Sequence, residues 1–273
     1  MKLLTHLDDV GMSAGSVEAW STLSKVGVVK SASTMVPCPY YLMARDHWQD
    51  NPDQDMGVHI TLTSEWSNYR WRPMTGQLGG LVDEEGFFHR RPEQVLESAD
   101  PLAVADEMAA QVERVISDGL RPTHLDAHMG AALLEPFVWS LFDLGKKFGI
   151  PVLTCKTLDP LVNSVRVPDF DPGFLSELKQ EAEHLGWPVF DNFIIGFCPD
   201  DQPIELHVKQ LIETASVGLL YYALHADTAQ GMDLFAPHHS KPRRKEFEFF
   251  SNPESQQVID QLDIELVSWT ELA

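Results

Sequence analysis

The sequence predicts an α/β protein on a parallel sheet, in the form of a closed or nearly closed α/β barrel, with a doubly wound sheet as the alternative. Three observations carry this. Short apolar runs alternate repeatedly with amphipathic helical stretches along the 273 residues, the pattern of strands joined by crossover helices. The prominent aspartates and histidines fall where the apolar runs end, the face on which such barrels carry their chemistry. With 44% hydrophobic residues and no repeat, low-complexity tract or Ser/Gly linker, the chain reads as one domain, 1–273, able to bury its own core.

Taken in order, "KLLTHL" reads as a strand ending at Asp8, and "GSVEAWSTLSKVG" as an amphipathic helix stopped by Gly27. "VVKSASTMV" is a second strand, ended by Pro37, "YYLMARDHWQ" a short helix, and "DMGVHITLT" a third strand. Residues 64–100 then break the rhythm as an irregular, lid-like insertion holding Trp66, Tyr69, Arg70, Trp71, Arg72 and the Phe87-Phe88 pair; long irregular segments in compact domains are commonly functional. "DPLAVADEMAAQVERVISDG" is the clearest helix, with Asp100 as N-cap, Pro101 at the first helical position and Gly119 past the end. "PTHLDAH" is a strand, "PFVWSLFDLGKKFG" a helix and "IPVLTC" a strand. "VFDNFIIGF" (strand), "PIELHVKQLIETAS" (helix), "GLLYYALHA" (strand), "KPRRKEFEFFSN" (helix) and "IELVSWTEL" (strand or final element) complete the series.

The formal net charge is −21, which argues against nucleic acid and against anionic membrane surfaces as partners. No window of ~18 apolar residues is present to span a bilayer. Met1-Lys2 opens directly into the first strand without a signal-peptide core, and Cys38, Cys155 and Cys198 are scattered with no CxxC pair. A cytoplasmic chain with free thiols is the expectation.

Four separated segments deliver Asp and His to one predicted face: Asp8 and Asp9; His59; His124, Asp126 and His128; His225 and Asp227. One carboxylate and two imidazoles make an open site for a divalent metal. Adjacent strand side chains point to opposite sides, so both members of the Asp pair cannot ligate one ion alike. Where the strand bends at its end, the spare aspartate can take a proton from water and a remaining histidine can give one to a leaving group. Metal, base and acid together make a hydrolase. Trp66, Trp71 and Phe87 read either as a sugar-stacking platform or as the insertion's own core, and Arg70 and Arg72 either bind an anionic substrate group or solvate a loop. His238 and His239 read as exposed loop residues, Tyr221-Tyr222 as strand packing, and Cys155 has no base to make it a nucleophile.

"HLDDVGMSAG", "MGVHITLT", "RPTHLDAH" and "ALHAD", in this order, resemble the motifs of the YdjC-like carbohydrate deacetylases, the group that includes chitooligosaccharide and hopanoid-biosynthesis deacetylases. "LVDEEGFF" and the Arg-x-x-Glu of "RRKEFEFF" extend the likeness. The resemblance implies a TIM-barrel-like fold and a deacetylase of small N-acetylated saccharides that uses one divalent ion, magnesium or zinc. By position, Asp9, His59 and His128 match the family's metal ligands, Asp8 its base, and His225 its acid or substrate-polarising group. His124 and Asp126 fall where residues would orient those ligands. Leu7, Val10, Met129-Gly130 and "HAD" depart from the family pattern, which points to an altered rim and substrate. The alternatives are a metal-dependent hydrolase of a phosphoester or a non-sugar amide, and a non-catalytic sugar-binding barrel; a homodimer is the assembly allowed for.

Overall fold

The computed structural model describes residues 1–76, 78–157, 172–215 and 218–272. Its centre is β1, Lys2–Val10, buried at every position after Lys2. Such a continuous apolar run is what a parallel strand covered on both faces requires. Around it lie β2 (Ser31–Thr34), β3 (Met56–Ile60), β4 (Leu125–Ala127), β5 (Asn192–Ile195) and β6 (Leu219–Leu224), all parallel, in the order β4-β3-β2-β1-β6-β5. The two-residue β7, Glu265–Leu266, pairs with the first residues of β1.

This is a curled parallel half-barrel, not a closed ring of regular strands. The edge strands β4 and β5 do not pair with each other; residues 151–156 lie between them. Leu125 bridges to Val152 and Cys155 to Phe190, with Leu153 N–H donating to Leu125 O (2.8 Å) and Phe190 N–H to Thr154 O (2.9 Å). The expected strand "IPVLTC" is thus an extended segment that meets each neighbour at a single bridge. Pro151 contributes a carbonyl but has no N–H, so it cannot extend a ladder in both directions.

The helices follow their end signals. α1 (Ala14–Val26) starts under a Ser13–Ser16 capping box and stops at Gly27, whose φ of 86° is left-handed. α2 covers Tyr41–Asp50. α4 (Pro101–Ser117) starts at Asp100, whose side chain accepts from Leu102 N–H, and α5 (Val138–Phe148) ends at left-handed Gly149. Between β3 and α4, the irregular stretch gives way at Pro92 to a helix, α3 (Pro92–Ser98), so the insertion is only partly irregular. Two further helices without strong sequence signals are α6 (Pro172–His184) and α9 (Glu254–Asp260); α7 (Ile204–Thr214) lies as expected. α8 runs over Pro237–Ser251, starting before the expected position. Pro237 is at home in the first helical position, and it draws His238 and His239 into the first turn, not into a loop. The chain closes with α10, Trp269–Leu272, whose Trp269 is fully buried. Among the described residues no helix is long and apolar enough to cross a membrane, and the three cysteines are buried and unpaired.

Candidate metal centre

The strand ends converge on a cavity of about 1050 Å³ lined by Asp8, Asp9, His59, Asp126, His128 and His225, among others. Adjacent strand residues would ordinarily face opposite ways. Here β1 carries a register shift between Leu7 and Val10, and Asp9 has φ 63°. A bulge with a left-handed non-glycine residue re-aims a side chain at the expense of local strain. It is the reason that Asp8 and Asp9 both reach the cavity.

Asp9 Oδ1 lies 3.0 Å from His128 Nδ1 and 3.4 Å from His59 Nε2. The three residues are buried, and their ligand atoms lie within 4.8 Å of one another. His59 arrives from β3, and its Nδ1 is 2.9 Å from Asp126 Oδ1 on the adjacent β4. A carboxylate on Nδ1 directs the Nε2 lone pair outward, toward Asp9. One carboxylate and two imidazoles so arranged fit a divalent ion. Asp8–His59–Asp126 and His6–His124–Asp126 also bring donor atoms within 4.8 Å. In both, however, Asp126 is already engaged, by Ser33 Oγ–H (2.8 Å) and Tyr221 O–H (3.4 Å).

Three neighbours of the constellation escaped the sequence reading. Arg243 Nη2 donates to Asp9 Oδ2 at 2.7 Å, leaving Oδ1 turned to the histidines. Glu65 Oε2 lies 3.1 Å from His128 Nε2. Glu246, one helical turn past Arg243, accepts from the backbone N–H of His225 at 2.7 Å. The Arg-x-x-Glu spacing in "RRKEFEFF" places the last pair on one helix face, which was the available signal.

Burial and charge set the protonation states. Burial raises the Asp8 carboxyl, with His59 and His6 pulling the other way. For Asp9 the same burial is outweighed by Arg243 and His128, which hold it well below the usual carboxylate range. Burial alone would lower His128, but Glu65 and Asp9 push it up to about 9. Burial lowers His225 to about 3, so its ring is neutral; its Nε2 stands 3.7 Å from Asp8 Oδ2. Burial also raises Glu246 to about 8.

The other expected residues divide. His124 is fully buried and stacks on Trp269 at 4.6 Å, behind the cavity. Asp227 does not line the cavity: it accepts from Ser13 Oγ–H and Ala229 N–H, pinning the start of α1. Trp66 does line it, edge-on to His239 at 4.9 Å, and its Nε1 has no partner among the described residues. Trp71 is not in the lining but under it. Its Nε1–H donates to Thr63 O (2.8 Å) and its ring stands edge-on to His128 at 6.2 Å. Arg70 and Arg72 are likewise absent from the lining. Arg70 is paired with Asp83 (2.7 Å), and Arg72 sits over the Phe87 ring at 4.7 Å. Both arginines hold the insertion together, so neither binds an anionic group in the cavity nor merely solvates a loop.

A profile of the family described as "YdjC-like protein" matches residues 2–261. Over its whole length the chain is 25% identical to carbohydrate deacetylase 1 of Listeria innocua, with all of that protein covered, and equally so to the carbohydrate deacetylase of Brevibacillus brevis. It is 31% identical to the carbohydrate deacetylase of Thermus thermophilus over 68% of this chain and 63% of that one. A crystal structure from Enterococcus faecalis V583, described as a candidate for cellobiose-phosphate cleavage, superposes with a TM-score of 0.80 at 23% identity, covering 100% of this chain and 98% of that one. The fold is therefore shared with a solved structure, and by its profile match over nearly the full sequence this chain belongs to the YdjC-like family.

Proposed function

We propose that the protein is a carbohydrate deacetylase that hydrolyses an acetamide on a small saccharide, with Asp9, His59 and His128 holding one divalent ion. The observation that carries this reading is the buried Asp9–His59–His128 constellation, its ligand atoms within 4.8 Å, at the base of the cavity. Relatives named carbohydrate deacetylase support it. Two imidazoles in the donor set favour zinc over magnesium, which takes oxygen ligands and keeps its waters. When bound, such an ion supplies a Lewis acid for the acetamide carbonyl and eases deprotonation of the attacking water.

The chain's own groups do the rest. Asp8, its carboxyl raised by burial, is suited to take a proton near neutral pH and stands beside the ligands. His225 is neutral at rest, so it is not a store of acid. Its Nε2 stands 3.7 Å from Asp8 Oδ2, beyond direct hydrogen-bond reach. Asp8 itself therefore returns the proton taken from water to the leaving nitrogen, and His225, a neutral ring facing the cavity, is left to polarise the substrate. An amine leaves only when protonated, and the products are the free amino sugar and acetate. Trp66, on the cavity wall beside Glu65 and His239, offers a ring for the sugar.

The test is acetate release from a panel of N-acetylated mono- and disaccharides by zinc-loaded protein. Chelation should abolish it and zinc should restore it. Asp8→Asn should keep the zinc and lose ~10²–10⁴ in rate, the usual worth of a positioned proton-transfer group. Background release throughout the panel with zinc fully bound would overturn the reading.

A further inference from the structure

The interior of the sheet below the candidate centre holds polar side chains where such barrels hold layers of Val, Ile and Leu. His6, Ser31 and Ser33 are fully buried and Asp126 nearly so. Polar groups so placed are unfavourable unless each is paired, and the pairing here is continuous. His6 and Asp8 lie two apart on β1 and share its inner face. His6 Nε2 stands 3.0 Å from Ser33 Oγ, 3.2 Å from Asp126 Oδ2 and 3.4 Å from Asp8 Oδ1. Its Nδ1 stands 3.0 Å from Ser31 Oγ. Ser31 Oγ–H donates to Asp55 Oδ1 (3.1 Å), and Asp55 Oδ2 accepts from Thr270 N–H (3.0 Å) in α10.

We propose that His6 is a positioning residue for the deacetylation: its Nε2 edge fixes the proposed base Asp8 and, through Asp126, the ring of the proposed ligand His59, while its Nδ1 edge is anchored to the floor of the barrel. Asp8 Oδ1 has no hydrogen-bond partner of its own among the described residues, so His6 is the polar group that confines it. Asp126 carries the effect onward, because one of its oxygens meets His6 and the other meets His59 Nδ1 at 2.9 Å. The anchor runs in the opposite direction. Ser31 and Asp55 tie the ring to α10, which also stacks Trp269 on His124. His6 touches neither the candidate ligands nor the space a substrate would fill, so its effect is on geometry.

The two edges of the ring can be replaced one at a time. Glutamine reproduces a polar group near the Nε2 position and asparagine one near Nδ1. His6→Gln should retain activity within a few-fold. His6→Asn should lose 10–100-fold in kcat or zinc affinity, the usual effect of removing a group behind a metal ligand, with KM changed less than twofold. Ser31→Ala, which leaves the ring in place but cuts its anchor, should lie between them. Zinc affinity is measured by competition with a chromogenic chelator, alongside kcat, KM and the melting temperature. A purely structural His6 would lower the melting temperature of both His6 variants alike and leave the kcat of folded protein unchanged; that result overturns the proposal, as does wild-type kcat and zinc affinity in folded His6→Asn. The kinetic arm rests on the deacetylase reading. If wild-type protein releases no acetate, that reading fails, and the order of zinc affinities among the three variants still decides the role of His6.

Discussion

Asp9 shows how much one residue is asked to do. It sits in a left-handed conformation that few non-glycine residues adopt, with one oxygen bound by Arg243 and the other turned to two histidines. Arg243 is itself buried, and its planar fork suits a carboxylate. Arg243→Met should therefore free Asp9 to rotate and weaken zinc binding ~10–100-fold, read by chelator competition; Arg243→Lys, a point charge without the fork, should recover only part. Glu246 allows a test by pH. Its folded-state value of about 8 lies above the ordinary 4.5, so the folded protein retains a proton that the unfolded chain releases. That contribution is fully present below 4.5 and is lost as pH rises through about 8. Glu246→Gln keeps an acceptor for the His225 N–H but does not titrate. Its melting temperature should match wild type near pH 4.5 and exceed it increasingly toward pH 8, and a constant offset would refute the shift. Neither residue could be placed from local sequence alone, since Arg243 meets Asp9 across 234 positions.

At the scale of elements, what the sequence disclosed depended on whether a local signal set the boundary. α1, α4 and α5 carry caps and terminal glycines, and those glycines or caps are where the structure ends or begins them. α3, α6 and α9 were hidden because their composition is polar or their caps weak, and tertiary context decides such segments. "IPVLTC" has strand composition, yet whether it pairs as a strand depends on where β4 and β5 lie, which no local pattern records. For the candidate site, strand ends were a sufficient guide to the inner set but not to the insertion, whose arginines pair within their own loop. The junction of α1 with the loop after β6 gives a direct test. A Cβ on Gly15 would stand 2.0 Å from Asp227 Oδ1, so Gly15→Ala must displace the carboxylate that caps Ser13. We expect ~1–3 kcal/mol of destabilisation, the usual range for overpacking, seen as a lower denaturant midpoint with an unchanged m-value. In the insertion, Trp66→Ala should raise KM more than it lowers kcat, the mark of lost uniform binding. Trp71→Ala should instead lower stability, because its ring is buried beneath the cavity.

For the whole molecule, the proposed metal would compete with protons for one buried cluster. Four carboxyl groups, Asp8, Asp9, Asp126 and Glu65, surround His59 and His128. Without an ion, this excess of negative charge is met by protonating histidine, and His128 is raised from 6.5 to about 9 by Glu65 and Asp9 against the opposing effect of burial. The sign follows from linkage: a histidine with a raised folded-state value stabilises the empty protein fully below 6.5 and ceases to do so as pH rises through about 9. A metal needs the neutral ring, so binding below about 9 expels that proton. Apparent zinc affinity should then rise at least tenfold per pH unit up to about 9, and more steeply where His59, which Asp126 and Asp8 hold well above 6.5 against burial, also gives up a proton. Because an ion stabilises the fold by an amount that grows with the ratio of its concentration to its dissociation constant, the increase in melting temperature at fixed free zinc should widen steadily from pH 6 to pH 9. His128→Asn removes one of the two protonated rings, so it should reduce both trends together and leave the part due to His59. An increment in wild-type protein that does not vary over this range would mean that neither His128 nor His59 carries a proton in the empty site, and with that the electrostatic account of the centre would fail.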